Sequence, residues 1–249
     1  MILQGKRALV TGAGSGSGAA IARALAREGA EVVICGRRPE PLHALARDSA
    51  LMHPQICDVT SERSVEEAFA AAGPLDIVVA NAGISASAPL ARTSLAEFQS
   101  QIDTNLLGTF LTFREAARHL PPRGWGRVIA IASTAAVKGY AYVAPYAASK
   151  HGVLGLVRSA ALEYARKGVT FNALCPGFMD TEMTRRSTDR IVETTGRSAE
   201  EARASLASHS PQGRLIDPEE VARAVLWLCG PGSDAITGQA IPICGGETA

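Results

Sequence analysis

The sequence has little that would suit a metal, nucleic acid or a membrane. Its five cysteines (Cys35, Cys57, Cys175, Cys229 and Cys244) are odd in number and scattered, with no CxxC pair and no cysteine/histidine cluster, which argues against a disulfide framework and against a zinc site. Each is expected to be a small buried apolar residue. Aromatic residues make up only 5% of the chain, and 25 Lys+Arg stand against 24 Asp+Glu with no basic block, so nucleic acid has no electrostatic footprint to bind. A small, roughly neutral ligand is the better expectation. No apolar run approaches the ~20 residues that span a bilayer. The opening "MILQGKRALVTG" runs straight into a strand pattern without an apolar leader, and the reading is a soluble cytoplasmic protein with no membrane partner.

What is present is alternation. Short apolar runs, "RALVT" (7–11), "EVVIC" (31–35), "LMHPQIC" (51–57), "LDIVVA" (75–80), "RVIAIAS" (127–133), "VTFNALC" (169–175) and "QAIPIC" (239–244), read as strands buried on both faces. Pro54 and Pro242 weaken two of them and suggest an edge position or a late start, because proline cannot donate to a ladder. Between them lie helix patterns: "SGAAIARALAREGA" with a stop at Gly29, "SERSVEEAFAAAG" with Ser61 as its cap, and one long amphipathic helix over 94–120. "PYAASKHGVLGLVRSAALEYARKG" starts on Pro145 and stops at Gly168, and "DPEEVARAVLWLCG" has Pro218 at its first position. No linker divides the chain, so 1–249 is expected to be one α/β domain, a parallel sheet with helices on both faces. Residues 178–212, polar and helix-rich with no strand of their own, read as an insertion over the sheet edge.

The turn "VTGAGSGSGAAIARALA" (10–26) puts Gly12, Ser15, Gly16, Ser17 and Gly18 between the first strand and the first helix. Glycines allow positive φ and close approach of amides to a pyrophosphate, and the helix N-terminus adds partial positive charge. No GK[ST] follows, which disfavours a Walker-type NTPase. The second strand ends in Gly36, Arg37 and Arg38, where a dinucleotide domain usually places a carboxylate for the ribose hydroxyls. Two guanidiniums suit a ribose 2'-phosphate, so NADP(H) is preferred over NAD(H). The alternative is two arginines in a solvated loop.

Within "APYAASKHG" (144–152), Tyr146 and Lys150 are four apart, on one helix face. An ammonium beside a phenol favours the phenolate and lowers the tyrosine pKa toward the working range of an acid/base group; the alternative for the pair alone is two ordinary surface residues on a helix. Taken with "TGAGSGSG" (11–18), "NAG" (81–83), "TNLLG" (104–108), "IAS" (131–133) and "CPGFMDTEM" (175–183), the whole chain resembles the short-chain dehydrogenase/reductase family, whose motifs come in this order and spacing.

The resemblance implies a doubly wound Rossmann fold with a seven-stranded parallel sheet in the order 3-2-1-4-5-6-7. It makes Tyr146 the general acid/base and Lys150 its tuner, with a hydrogen bond to the nicotinamide ribose. Ser133 would hold the substrate oxygen, and Asn105, inside the long helix, would anchor a water-linked proton relay to Lys150. Asp58 would bind the adenine amino group beside Val59, although an Asp after a strand is often only a turn or cap. Asn81, which steadies the sheet, and Gly83 match "NNAG" with Ala80 in its first place. Pro176, Gly177 and Thr181 would face the nicotinamide; Thr181 could also merely cap the next helix. Family members form dimers or tetramers, and a homotetramer is expected.

The "GFMDTEM", "PQGRL" and "ITGQAIPICGG" segments look most like 3-oxoacyl thioester reductases, including polyketide ketoreductases. The substrate is then a carbonyl compound or alcohol, carried on CoA or a carrier protein, which Arg185, Arg186, Arg190, Arg197 and Arg203 could meet unless they pair with Glu200 and Glu201. The competing readings are a secondary alcohol dehydrogenase of free ketones, its pocket lined by Tyr140, Tyr142, Val143, Phe178 and Met179, and a non-catalytic dinucleotide sensor, disfavoured by the intact Ser133, Tyr146 and Lys150.

Overall fold

The computed structural model describes residues 1–121 and 124–249. Seven strands, β1 (Arg7–Thr11), β2 (Glu31–Gly36), β3 (Met52–Ile56), β4 (Ile77–Ala80), β5 (Gly126–Ile131), β6 (Val169–Pro176) and β7 (Ala240–Ile243), form one sheet. Its order is β3-β2-β1-β4-β5-β6-β7 and every pairing is parallel. The two strands that contain proline, β3 and β7, lie at the edges, where the missing N–H breaks no central ladder.

Alternation along the strands builds two cores. Ala8, Val10, Val32, Ile34, Ile77 and Val79 face one side, with Ile21 and Leu25 of α1 (Gly16–Arg27) and Val221 and Val225 of α9 (Pro218–Cys229). Leu9, Val33, Val78 and Phe171 face the other, with Phe69 of α3 (Glu62–Ala72), Phe113 of α5 (Gly108–His119) and Val153 of α6 (Ala144–Tyr164). A fully buried side chain of this size contributes roughly 1.5–3 kcal/mol, so both faces must be covered for the sheet to persist. All five cysteines are free and buried.

The helices follow their signals with two exceptions. Ser61 caps α3 by accepting from Ser64 N, and Gly168 ends the α6 region in a left-handed conformation. A helix over Pro39–Ala46 (α2) escapes the sequence reading, its eight residues being too short for a clear apolar period. The long helix expected over 94–120 is interrupted: α4 (Leu95–Ile102) passes through a π-helical turn, Asp103–Leu107, before α5 begins. A wide turn of this kind inserts one residue into the ladder and is frequent at functional sites. The insertion over 178–212 contains α7 (Glu182–Thr195) and α8 (Ala199–Ala207). No helix among the described residues is long and apolar enough to cross a membrane.

Candidate active site

The strand order reverses between β1 and β4, and in an open parallel sheet the crevice at the carboxyl ends beside that switch point is where ligands bind. A cleft of about 400 Å³ occupies this place, lined by the glycine turn, the ends of β2 and β4, and the start of α7.

Its floor is the turn after β1. Gly12 and Gly16 adopt φ of 64° and 54°. A Cβ on Gly12 would sit 2.8 Å from Ala82 Cα, and one on Gly18 2.3 Å from the Gly12 carbonyl oxygen, distances that no side chain tolerates. Asn81 fastens this turn to β4. Its Nδ2 donates to the Thr11 and Gly12 carbonyls at 3.0 and 3.1 Å, and its Oδ1 accepts from Ser17 Oγ at 2.7 Å. Thr11, which sequence reading missed, completes the tie, its Oγ1 accepting from Asn81 N and Ala82 N at 3.0 and 3.1 Å. The partners are 70 residues apart, so no local pattern announces them. Ser15 stands at the N-cap of α1 but makes no capping hydrogen bond, which leaves its hydroxyl and the helix amides for an anion.

Arg37, Arg38, Asp58 and Val59 all line the cleft. Arg38 lies across its mouth, its Nη2 3.8 Å from Glu182 Oε2 on α7. Asp58 Oδ1 accepts from Thr60 N and Oγ1, a local turn that occupies one oxygen. Thr181 is 8% exposed and occupies the N-cap position of α7 without making the cap bond, so its hydroxyl remains available next to Gly16. Pro176 ends β6, and Gly177 N donates to Ile243 O, fixing the loop that leads to Thr181.

A second cluster adjoins the cleft. Ser133 follows β5, where its Oγ accepts from Ala135 N at 3.1 Å and caps a short turn over Thr134–Ala136. Tyr146 and Lys150 project from the first turns of α6, and the Lys150 Nζ lies 5.6 Å from the centre of the Tyr146 ring. Lys150 donates to the Ile131 carbonyl at 2.9 Å. Burial pushes its pKa down to about 8. Tyr146 corrects the expectation that Lys150 brings its pKa down: burial holds the phenol above its ordinary value, opposed by a hydrogen bond from Ser133. The lysine is itself desolvated and committed to a carbonyl, so its field on the phenol is weak.

Asn105 explains the π-helical turn. Fully buried, it accepts from Ile84 N through Oδ1 at 2.8 Å and donates through Nδ2 to Ile84 O at 2.9 Å and Ser149 Oγ at 3.1 Å. It makes no direct hydrogen bond to Lys150 among the described residues. Gly83 packs between them: a Cβ there would lie 3.2 Å from Asn105 Oδ1 and 3.5 Å from Lys150 Nζ. At the mouth, Tyr142 takes a left-handed backbone (φ 68°) and its carbonyl accepts from Ala88 N at 2.8 Å, strapping the loop after β4 to the loop before Tyr146. Strain of this sort costs on the order of 1–3 kcal/mol and persists where surrounding contacts enforce it.

The arginines of the insertion do not pair with Glu200 and Glu201. Arg203 grips Asp180 with two bonds of 3.1 and 2.7 Å, Arg186 reaches Glu182 at 2.5 Å, and Arg190 lies 3.8 Å from Glu193. The Glu201 carboxylate is instead spent on the capping box of α8, where it accepts from Ser198 N.

A phosphate-sized cradle at the switch point of a parallel sheet, with a half-buried serine and tyrosine and a buried lysine beside it, defines the class of nucleotide-dependent oxidoreductases. The chain belongs to the short-chain dehydrogenase/reductase family: residues 12–248 match the family model described as Enoyl-(Acyl carrier protein) reductase. It is 36% identical over 245 residues to the 3-oxoacyl-[acyl-carrier-protein] reductase of Rickettsia bellii, covering 98% of this chain and 97% of the relative. Gluconate 5-dehydrogenase of Gluconobacter oxydans is 35% identical over 254 residues, covering 99% and 96%. Among solved structures, a variant of the actinorhodin polyketide ketoreductase with NADPH superimposes with a TM-score of 0.92 at 37% identity, over 97% of each chain.

Proposed function

We propose that this chain is a single-domain NADPH-dependent reductase of 3-oxoacyl thioesters, with the reverse oxidation of 3-hydroxyacyl thioesters available to the same site. The observation that carries the reading is the cluster of half-buried Ser133 and Tyr146 with buried Lys150 against the glycine cleft. The cleft fits a dinucleotide on this chain's own features: Gly12 and Gly18 tolerate no Cβ, the Ser15 and Thr181 hydroxyls are left free of cap bonds, and two arginines line the end of β2. When bound, the nicotinamide cofactor supplies the hydride.

The protein supplies the proton and the positioning. Tyr146, kept protonated at neutral pH by burial, donates its phenolic proton to the substrate carbonyl oxygen. Ser133 holds that oxygen through its hydroxyl and stabilises developing negative charge. Lys150 keeps the proton path behind Tyr146 supplied, and Asn105 fixes the loop at Ile84 and Gly83 that borders it. Because the Lys150 ammonium is lost as pH rises through about 8, kcat/KM for reduction is expected to decline on that alkaline side, with no matching limb in a Lys150→Arg variant. A profile flat to pH ~10, measured by NADPH consumption, would remove Lys150 from the proton path.

Arg37 and Arg38 are the proposed 2'-phosphate contacts, with Asp58 and Val59 at the adenine end and Pro176, Gly177 and Thr181 at the nicotinamide end. Charge-assisted hydrogen bonds are worth about 1.5–3 kcal/mol, so Arg37→Glu is expected to cut kcat/KM with NADPH by about 10- to 100-fold and to spare or improve that with NADH. Equal losses with both cofactors would return Arg37 to a solvated loop.

The thioester assignment is tested by following NADPH and NADH oxidation with acetoacetyl-CoA and, separately, a panel of free ketones. Fast turnover of the thioester supports the reading; preference for free polyol or cyclic ketones moves the protein to the second reading, a free-ketone or alcohol dehydrogenase, which the 35% identity to a gluconate 5-dehydrogenase keeps open. The five unpaired thiols suit the reducing cytoplasm. Exposed Leu95, Phe98, Phe110 and Leu162 on α4, α5 and α6 support a homotetramer, which light scattering would reveal.

A further inference from the structure

Beyond the cofactor cleft, one carboxylate is buried on the substrate side without a part in the chemistry described. The side chain of Glu247 is 2% exposed. It reaches this position because Gly245 and Gly246 take φ of 60° and 93° and fold the segment after β7 onto the turn at 209–212; a Cβ on Gly245 would meet Ser210 Oγ at 2.3 Å. The carboxylate then lies beside the loop that carries Gly177, its Oε2 3.0 Å from where a Gly177 Cβ would be.

Three polar groups converge on Oε1. The Tyr140 hydroxyl bonds it directly, Lys138 Nζ lies at 3.5 Å and His209 Nδ1 at 3.8 Å. Tyr140, Phe178 and His209 stack edge to face or tilted around it, with ring centres 5.2 to 6.2 Å apart. Tyr140 Oη also lies 2.5 Å from Thr134 Oγ1. Each hydroxyl has a single proton, and a carboxylate can only accept. Tyr140 therefore gives its proton to Glu247 and must accept from Thr134, which leaves one direction for the chain: Thr134 to Tyr140 to Glu247. Burial and the neighbouring carboxylate hold the Tyr140 phenol above its ordinary range, so it stays a donor at any working pH.

Thr134 is the residue after Ser133 and the first of the short turn that Ser133 caps. We infer that Glu247 is a positioning residue: through Tyr140 and Thr134 it fixes the turn that aims Ser133 at the substrate oxygen. The inference rests on the catalytic reading of Ser133 given above. It assigns a role in turnover to a residue far from the catalytic motifs in sequence, and it predicts that the link acts as one unit. A misplacement of about 1 Å in such a group can cost up to 100-fold in rate, with cofactor affinity untouched.

The test compares Glu247→Leu, Tyr140→Phe, the double variant and Glu247→Gln, in NADPH oxidation with acetoacetyl-CoA and ethyl acetoacetate, alongside NADPH affinity from fluorescence titration. Either single change is expected to lower kcat about tenfold with the NADPH Kd unchanged. The double variant should be no worse than the singles, and Glu247→Gln, which keeps an accepting Oε1, should recover most of the rate. Multiplying losses in the double variant, a Gln variant as poor as Leu, or a weakened NADPH Kd in parallel would each overturn the inference. Ser133→Ala separates the two levels: if it stays active, or the wild type turns over neither ketone, the catalytic reading fails and the inference with it; if Ser133→Ala is inactive and Glu247→Leu runs at the wild-type rate, the inference alone fails.

Discussion

Replacing Tyr146 with phenylalanine is expected to lower kcat for NADPH-dependent reduction by about 10²- to 10⁴-fold, the usual worth of a positioned general acid. The ring stays and only the proton goes. Its aromatic face remains against the Lys150 ammonium, and Ser133 keeps the Ala135 amide, so folding and NADPH affinity are expected to be close to wild type. The loss would therefore fall on kcat, with Kd for NADPH as the internal control. A variant retaining a tenth of the wild-type kcat would show that another group delivers the proton, and the neighbouring Ser133 hydroxyl would be the first to examine.

The second large effect concerns binding. Gly18→Ala adds one methyl group where the Gly12 carbonyl oxygen lies 2.3 Å away and the Asn81 Nδ2 2.5 Å away. Neither neighbour can yield cheaply. The carbonyl belongs to a backbone in the left-handed region, and the amide is tied at both ends to Thr11, Gly12 and Ser17. Making room must push the start of α1 away from the turn, which spoils the amide cradle and costs stability of the size seen on overpacking, about 1–3 kcal/mol. NADPH binding is expected to weaken at least ~100-fold, a cost of about 2.7 kcal/mol, while the melting temperature drops by about 2–12 °C for a chain of this length. Wild-type affinity in this variant would mean that the cofactor does not lie on the glycine turn.

These expectations could be written because the local chemistry of the site is legible in the chain. The glycine turn, the arginines ending β2 and the Tyr146/Lys150 spacing each follow from contacts within a few residues, and near-continuous apolar runs are what a sheet covered on both faces requires. Pro54 and Pro242 left an edge position or a late strand start open, and the sheet has both strands at its edges. What escaped depends on distance. Thr11 is tied to Asn81 across 70 residues, and the break in the long helix at Asn105 exists because a carboxamide must meet the backbone of Ile84. Neither leaves a period or a cap in the sequence. The ionisation of the tyrosine is hidden for a related reason: spacing on a helix shows which groups are neighbours, but burial decides what their charges are worth.

The approach of Arg38 to Glu182 has a consequence for ionic strength. At the proposed 2'-phosphate site, a phosphate arriving at the mouth of the cleft would not meet a vacant guanidinium; it would displace a carboxylate already 3.8 Å from Arg38. On that proposal, binding at Arg38 is an exchange of anions, with Glu182 returned to solvent and to its second partner, Arg186. Salt screens the ion pair that breaks and the one that forms in its place to a similar degree, so the two effects largely cancel. The affinity for a 2'-phosphorylated dinucleotide should therefore fall with added salt about as steeply as one free arginine would dictate, and Glu182→Gln should restore the steeper dependence of two.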